Sequence, residues 1–287
     1  MFGLGFNGRE MTASSLSLFG NFIGACSYMI QKPTAEHLRA GIATEEMDFP
    51  LFRYGLSLEG RISMADFSYQ HIKETNEGAI EEIVQSKKKK VGEPLPSHNQ
   101  FALISYFESF IDQVHKTLET IATMNLFIYP IQWNELSNND WRNISSFNYQ
   151  RKRIINGELS FGTEYEHVMA EMDWFDELRD IRDNANHSMS GLPVHGTDND
   201  MHPILVYYVH ICLGRLDARV GVKQFPIIEK TELFYRGFHS SLDKIGQCYL
   251  QTIDREKKIP IPVFKDGKVS FTELNFNEFI KGNNSAN

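Results

Sequence analysis

The stretch EYEHVMAEMDWFDELRDIRDNANHSMSG, Glu164 to Gly191, decides how this chain is read. A period near 3.6 residues predicts one long helix across it. Tyr165, Val168, Met172 and Phe175 fall on one side, as in a helix that packs against a core. Carried forward, the same line meets Arg179, Arg182, Asp183 and Asn186, while the apolar residues Trp174, Leu178, Ile181, Ala185 and Met189 have moved round by roughly a third of a turn. An arginine turned toward a core costs on the order of several kcal/mol unless it is paired. The second half of the helix therefore presents chemistry where the first half presents packing. His187 follows at once, and Ser188-Met189-Ser190-Gly191 ends the helix.

Working outward toward the N-terminus, Gln100 to about Asn125 predicts a second helix. Leu103, Phe107, Phe110, Ile111, Val114, Leu118 and Ile121 give it a broad apolar face, and Glu108, Asp112, His115 and Glu119 recur along another. That acidic stripe is either a solvated face or the set of carboxylates that orients Arg179 and Arg182, since an inward guanidinium needs an acid partner. Between the two helices, residues 126–163 read as a long connector holding Trp133, Trp141, Tyr149 and the run Arg151-Lys152-Arg153. Such aromatics can stack unpaired bases while the basic residues hold phosphates. Equally, the tryptophans can simply cap the core.

Beyond the quoted stretch, Leu192 to Pro203 reads as a surface loop whose His195, Asp198, Asp200 and His202 match no metal-ligand spacing. Ile204 to Leu213 is almost wholly apolar and predicts a helix buried on most sides. Thr231 to about Lys257 predicts another helix, with Thr231 as its cap. Asp266-Gly267 between Val263-Phe264 and Val269-Ser270-Phe271 is a hairpin signal.

At the other end, Leu58 to Lys90 is helical in pattern and closes on four lysines, 87–90, which suit the negative end of a helix dipole. Pro94 and Pro96 then break the chain. The expected parts are an N-terminal helical region of unknown role, 1–95, a helical bundle, 96–258, and a hairpin with tail, 259–287. The fold class that follows is all-α, a multi-helix bundle with a small C-terminal β-hairpin extension. GLGFNG at 3–8 lacks the lysine and the preceding strand of a phosphate loop.

A net charge of −8 argues against a surface built for non-specific nucleic-acid binding, and leaves room only for a local basic site. Cys26, Cys212 and Cys248 form no close pair, so neither a disulfide framework nor a zinc knuckle is indicated and a reduced, cytoplasmic setting is expected. The apolar run Leu16 to Ile30 is interrupted by Gly20, Asn21 and Gly24, so no signal peptide and no membrane span is expected.

The spacing Arg182-x-x-x-x-His187, on a helix that ends in small polar residues, resembles the signature of the HEPN superfamily, over residues 98–258. That superfamily consists of helical domains, many of them metal-independent ribonucleases of toxin–antitoxin and antiviral-defence systems. The resemblance implies an endoribonuclease that leaves a 2′,3′-cyclic phosphate, working as a homodimer with a site completed by both copies. It implies RNA as substrate, no metal and no cofactor, and a partner protein that restrains or activates the enzyme. Arg182 and His187 would be catalytic, with Asn186 and Asp183 orienting them. Arg179, Arg151, Lys152 and Arg153 would contact substrate, and Glu108 and Asp112 would support the arginines. The chemistry agrees: a histidine titrating near neutrality can take the 2′-hydroxyl proton, and a permanent guanidinium can steady the charged phosphate. Residues five apart lie about 140° apart on an ideal helix, so their convergence predicts a helix that loosens or ends near His187.

Two other readings stay open. Asp112-x-x-His115 and Glu164-x-x-His167 are two acid-x-x-His pairs, the layout of a carboxylate-bridged di-metal bundle. Alternatively, the domain keeps the two-residue motif for structure alone and serves as a non-catalytic binding or dimerisation module.

Overall fold

In the computed structural model, residues 50–85, 97–129, 143–187, 192–212, 219–251, 259–265 and 268–274 are described. Two long helices come first: α1, Pro50–Gln85, and α2, His98–Ile128. Pro50 at the first position of α1 fits a helix start, because the N–H that proline lacks would have no partner there. Leu103, Phe107, Phe110, Ile111, Val114, Leu118 and Ile121 of α2 are all buried, as their spacing requires. Three shorter helices follow: α3, Phe147–Ile155, α4, Thr163–Ala170, and α5, Asp173–His187. Strands β1, Leu192–Thr197, β2, Pro203–Cys212, and β3, Arg219–Pro226, precede α6, Ile227–Gln251. Strands β4, Ile259–Lys265, and β5, Lys268–Leu274, come last. The described residues are thus mainly helical, with small antiparallel β elements, and the C-terminal hairpin stands where Asp266-Gly267 signalled it, with Lys265 paired to Lys268.

Four expectations are corrected. The single helix over 164–191 is two, α4 and α5, separated at Glu171 and Met172. The N–H of Phe175 bonds the Met172 carbonyl at 3.1 Å, and Asp173 and Asp176 stand in the first turn of α5, where acids favour a helix start. The apparent rotation of the apolar stripe was the signature of this break, since a new helix begins with a new phase. The helix expected over 204–213 is strand β2, and the loop before it contains β1. Ile204, Val206, Tyr207, Tyr208, Val209 and Ile211 are β-branched or aromatic, and in a short apolar run that composition outweighs continuity. Residues 147–155 of the expected connector form α3. Finally, α6 begins at Ile227, and Thr231 lies inside it, its hydroxyl donating to the Ile227 carbonyl at 2.7 Å. Residues 1–49, the four lysines 87–90, Trp133 and Trp141 lie outside the described residues.

The chain divides into two compact units interleaved in sequence. The first takes residues 1–59, 120–169 and 239–287. Its described core is aromatic, with Tyr129 stacked on Phe161 at 4.7 Å, and Tyr165 and Tyr249 fully buried. A buried amide network threads this core. Asn125 Nδ2 donates to Gln150 Oε1 at 2.9 Å and to the Tyr165 hydroxyl at 2.7 Å, while the Tyr249 hydroxyl donates to Asn125 Oδ1. Gln150 Nε2 in turn donates to the carbonyls of Ala122 and Ile144 at 2.7 and 2.6 Å. Each amide is satisfied, which is what makes burying it tolerable.

The second unit takes residues 60–119 and 170–238. Its sheet runs β1-β2-β3, all antiparallel, with Leu192 opposite Tyr208 and Val206 opposite Pro226. Leu205 and Tyr207 are buried, and Tyr207 packs on Phe107 of α2 and on Phe225 of β3 with ring centres 5.0 and 5.4 Å apart. Among the described residues no helix is long and apolar enough to cross a membrane.

Candidate functional site

The acidic stripe of α2 and the arginines of α5 meet within the second unit. Asp112 Oδ1 lies 3.6 Å from Arg182 Nε, and His115, one turn further along α2, lies with its ring 6.1 Å from that of Phe175. The two contacts run in opposite chain directions, so α2 and α5 are antiparallel along this seam. The α5 residues Phe175, Leu178 and Ile181 are buried, while the Arg179 and Arg182 side chains keep 22 and 27% of their surface exposed. Helix α5 thus buries its apolar residues and holds its arginines at the rim, where stems pack and head groups reach water.

Each cation here has an acid beside it. Arg182 Nη1 donates to Asp183 at 3.2 Å. Arg179 pairs with Asp176 at 3.5 Å and Asp180 at 3.3 Å. Lys116 Nζ lies 2.5 Å from the second oxygen of Asp112. Lys116, Arg179 and Arg182 are therefore matched by Asp112, Asp176, Asp180 and Asp183, and the cluster carries no net positive charge. The pairs within one helix are half exposed and worth only ~0–1 kcal/mol each. Arg182 Nε is buried and makes no hydrogen bond, being beyond hydrogen-bond reach of Asp112.

His115 is buried, with Nε2 3.8 Å from Glu119 Oε1. Burial above all, and then the charge of Arg182, push its pKa down from the ordinary histidine value to about 4, against the pull of Asp183 and Asp112 and with a further push from Arg179. The imidazole is neutral at pH 7. Glu108 accepts a hydrogen bond from the Tyr207 hydroxyl at 3.0 Å and so ties α2 to the sheet.

Of the residues the sequence singled out, Asp112, Arg182 and Asp183 are brought together, with Arg179 one turn away on α5. The backbone of α5 stays α-helical as far as His187, with no π-bulge, and the side chains of Asn186 and His187 lie outside the described residues. Arg151, Lys152 and Arg153 belong to the first unit, on α3. Arg151 is turned inward, 4% exposed, its Nε donating to the Met169 carbonyl at 2.9 Å, so it is not displayed for a phosphate. Arg153 lies over the Tyr149 ring and pairs with Glu158 at 3.2 Å, and Lys152 is exposed. Lys116 was missed, although its spacing of four from Asp112 is the signal for such a pair.

The two acid-x-x-His pairs fall in different units, and Glu164 accepts a hydrogen bond from Gln251. Among the described residues one group is placed to share a cation: Asp198, Asp200 and His202, whose ligand atoms lie within 4.8 Å of one another in the β1–β2 turn. The Asp198 carboxylate already accepts the backbone N–H groups of His202 and Asp200 at 2.8 and 2.9 Å, and these bonds, that of His202 foremost, hold it below the usual carboxylate range. This turn closes the hairpin with Met201 at φ 67°. No family model matches the chain, and neither a curated protein nor a solved structure is found to be similar to it.

Proposed function

We propose that the α2–α5 seam is the RNA site of a metal-independent endoribonuclease, of the kind found in toxin–antitoxin and antiviral-defence systems and acting in the cytoplasm. Arg182 takes the scissile phosphate, Arg179 is a second phosphate contact, and His187 removes the 2′-hydroxyl proton. Attack of that oxygen on phosphorus then expels the 5′ oxygen and leaves a 2′,3′-cyclic phosphate. The observation that carries this reading is the setting of Arg182. It is a part-exposed guanidinium whose partners are one exposed aspartate, Asp183, and the carboxylate of Asp112 3.6 Å away. A phosphodiester can displace Asp183 from it at little cost.

The helical geometry of α5 favours a shared site. Because α5 keeps its turn up to His187, positions 182 and 187 lie about 140° apart around it. A two-fold dimer sets Arg182 of one copy beside His187 of the other and removes the need for one helix to bring both together. A partner protein that covers this face would hold such an enzyme silent.

The test is cleavage of single-stranded RNA in excess chelator, with the ends analysed. Chelator-resistant cleavage leaving cyclic phosphate supports the proposal, and an intact substrate at high enzyme concentration overturns it. The balanced ion pairing of the cluster favours one second reading, a non-catalytic module that binds or dimerises through the same face. The same assay separates the two, because that module dimerises without cleaving.

A further inference from the structure

His115 has no part in that reaction, yet it is the most deeply buried titratable group of the seam. Asp112, Lys116 and Glu119 lie around it on its own helix, and Phe175, Arg179, Arg182 and Asp183 face it from α5. Asp112 is one turn before it and touches Arg182. Glu119 is one turn after it, with a carboxylate oxygen 3.8 Å from His115 Nε2. The imidazole thus lies among two guanidiniums, Arg182 foremost, that repel a second cation and three carboxylates that would welcome one.

We propose that binding of a phosphodiester to Arg179 and Arg182 is accompanied by uptake of a proton from solvent at His115 Nε2, so that the seam is an anion site linked to acidity. The inference rests on the ribonuclease reading for its ligand. Two changes act in the same direction when the anion arrives. Its negative charge offsets the guanidinium that repelled the imidazolium, and Asp112, no longer shared with Arg182, keeps Lys116 as its partner and has one cation fewer to offset one turn from His115. A closure of about 1 Å then turns the contact of Nε2 with Glu119 into a charge-assisted hydrogen bond, with the new N–H as donor. Linkage is reciprocal, so if the anion favours the proton, the proton favours the anion, up to about tenfold in affinity per pH unit for one proton. RNA would bind more tightly in mildly acid than in neutral solution, although no phosphodiester titrates there.

The probe is a single-stranded 2′-O-methyl RNA oligonucleotide, which lacks the attacking hydroxyl and stays intact. Calorimetry of the full-length protein in buffers of different ionisation enthalpy counts the protons taken up. Greater uptake by the wild type than by His115→Gln near pH 5.5, with an affinity that climbs several-fold more between about pH 7 and about pH 5, is the result expected. Equal uptake by the two proteins overturns the inference. Should His115→Gln fail to fold, the ring signal of His115 in the wild type decides: its titration must move to higher pH when the oligonucleotide is added, and an unmoved titration is fatal. Oligonucleotide binding that Arg182→Ala abolishes, with His115 unmoved, removes this inference and leaves the ribonuclease reading standing. No binding at any pH removes both.

Discussion

Gly237 of α6 lies against the indole of Trp174 at the start of α5: a Cβ built on it would stand 2.7 Å from Cδ1 of the ring. Contacts that short do not occur, so α6 approaches α5 closely because position 237 has no side chain. In an open helix Gly→Ala would stabilise by up to about 1 kcal/mol through propensity. Here the clash is the larger effect, since overpacking costs about 1–3 kcal/mol. Gly237→Ala is therefore expected to lower the melting temperature by several degrees. A raised melting temperature would mean that the indole swings aside freely.

Two tyrosines of the first unit make a paired prediction. The Tyr129 hydroxyl is buried without a hydrogen bond, while that of Tyr249 donates to Asn125 within the amide network. Removing an orphan polar group relieves a desolvation cost, and removing a bonded one leaves its acceptor short. Tyr129→Phe keeps the stack on Phe161 and is expected to stabilise by about 1 kcal/mol. Tyr249→Phe is expected to destabilise by about 1–3 kcal/mol. Denaturant midpoints check both, and the same sign for the two variants would contradict the network as described.

Arg182→Ala and His187→Ala are each expected to abolish RNA cleavage. For Arg182→Ala the lost pair with Asp183 costs under about 1 kcal/mol, because that pair is part-exposed and lies within one helix. Mixing the two inactive chains restores activity if the site is shared between copies, since one of the two composite sites in a mixed dimer is intact. A fully active monomer by light scattering rules the shared site out.

His115 also sets a pH dependence of folding. Its folded pKa of about 4 lies below the unfolded value, so between the two the unfolded chain holds more protons and stability rises with pH. The contribution is complete above about pH 6.5 and is lost as pH falls toward 4, at roughly 1.4 kcal/mol per pH unit, for a total on the order of 2–3 kcal/mol. His115→Gln should show a shallower slope of unfolding free energy over that window. An identical slope would show that other groups carry it.

The sequence was most readable where one periodicity ruled. The apolar face of α2 emerged residue for residue, because seven large side chains at helical spacing admit one burial pattern. The meeting of Asp112 with Arg182 was legible for an electrostatic reason, as an arginine at a core rim calls for an acid. Ile204 to Cys212 misled because a run apolar at nearly every position carries no period, so only its β-branched and aromatic content could separate strand from helix. The break at Met172 was hidden because residues on both sides of it are buried, and a stripe shared by two helices reads like one. The inward turn of Arg151 was not readable at all, since a backbone carbonyl as its acceptor leaves no trace in residue identity.

Neither compact unit is a continuous length of polypeptide: one is gathered from three separate segments and the other from two, with α1, α2 and α6 each divided between them and the last residue of α4 assigned apart from the rest of that helix. There is accordingly no single peptide bond at which a protease or a cloning boundary could separate them without cutting through a helix. A chain emerging from the ribosome cannot finish the second unit until residue 238 is out, after the opening segment of the first has long been waiting. Such late, long-range closure slows folding and keeps apolar faces uncovered for longer during synthesis.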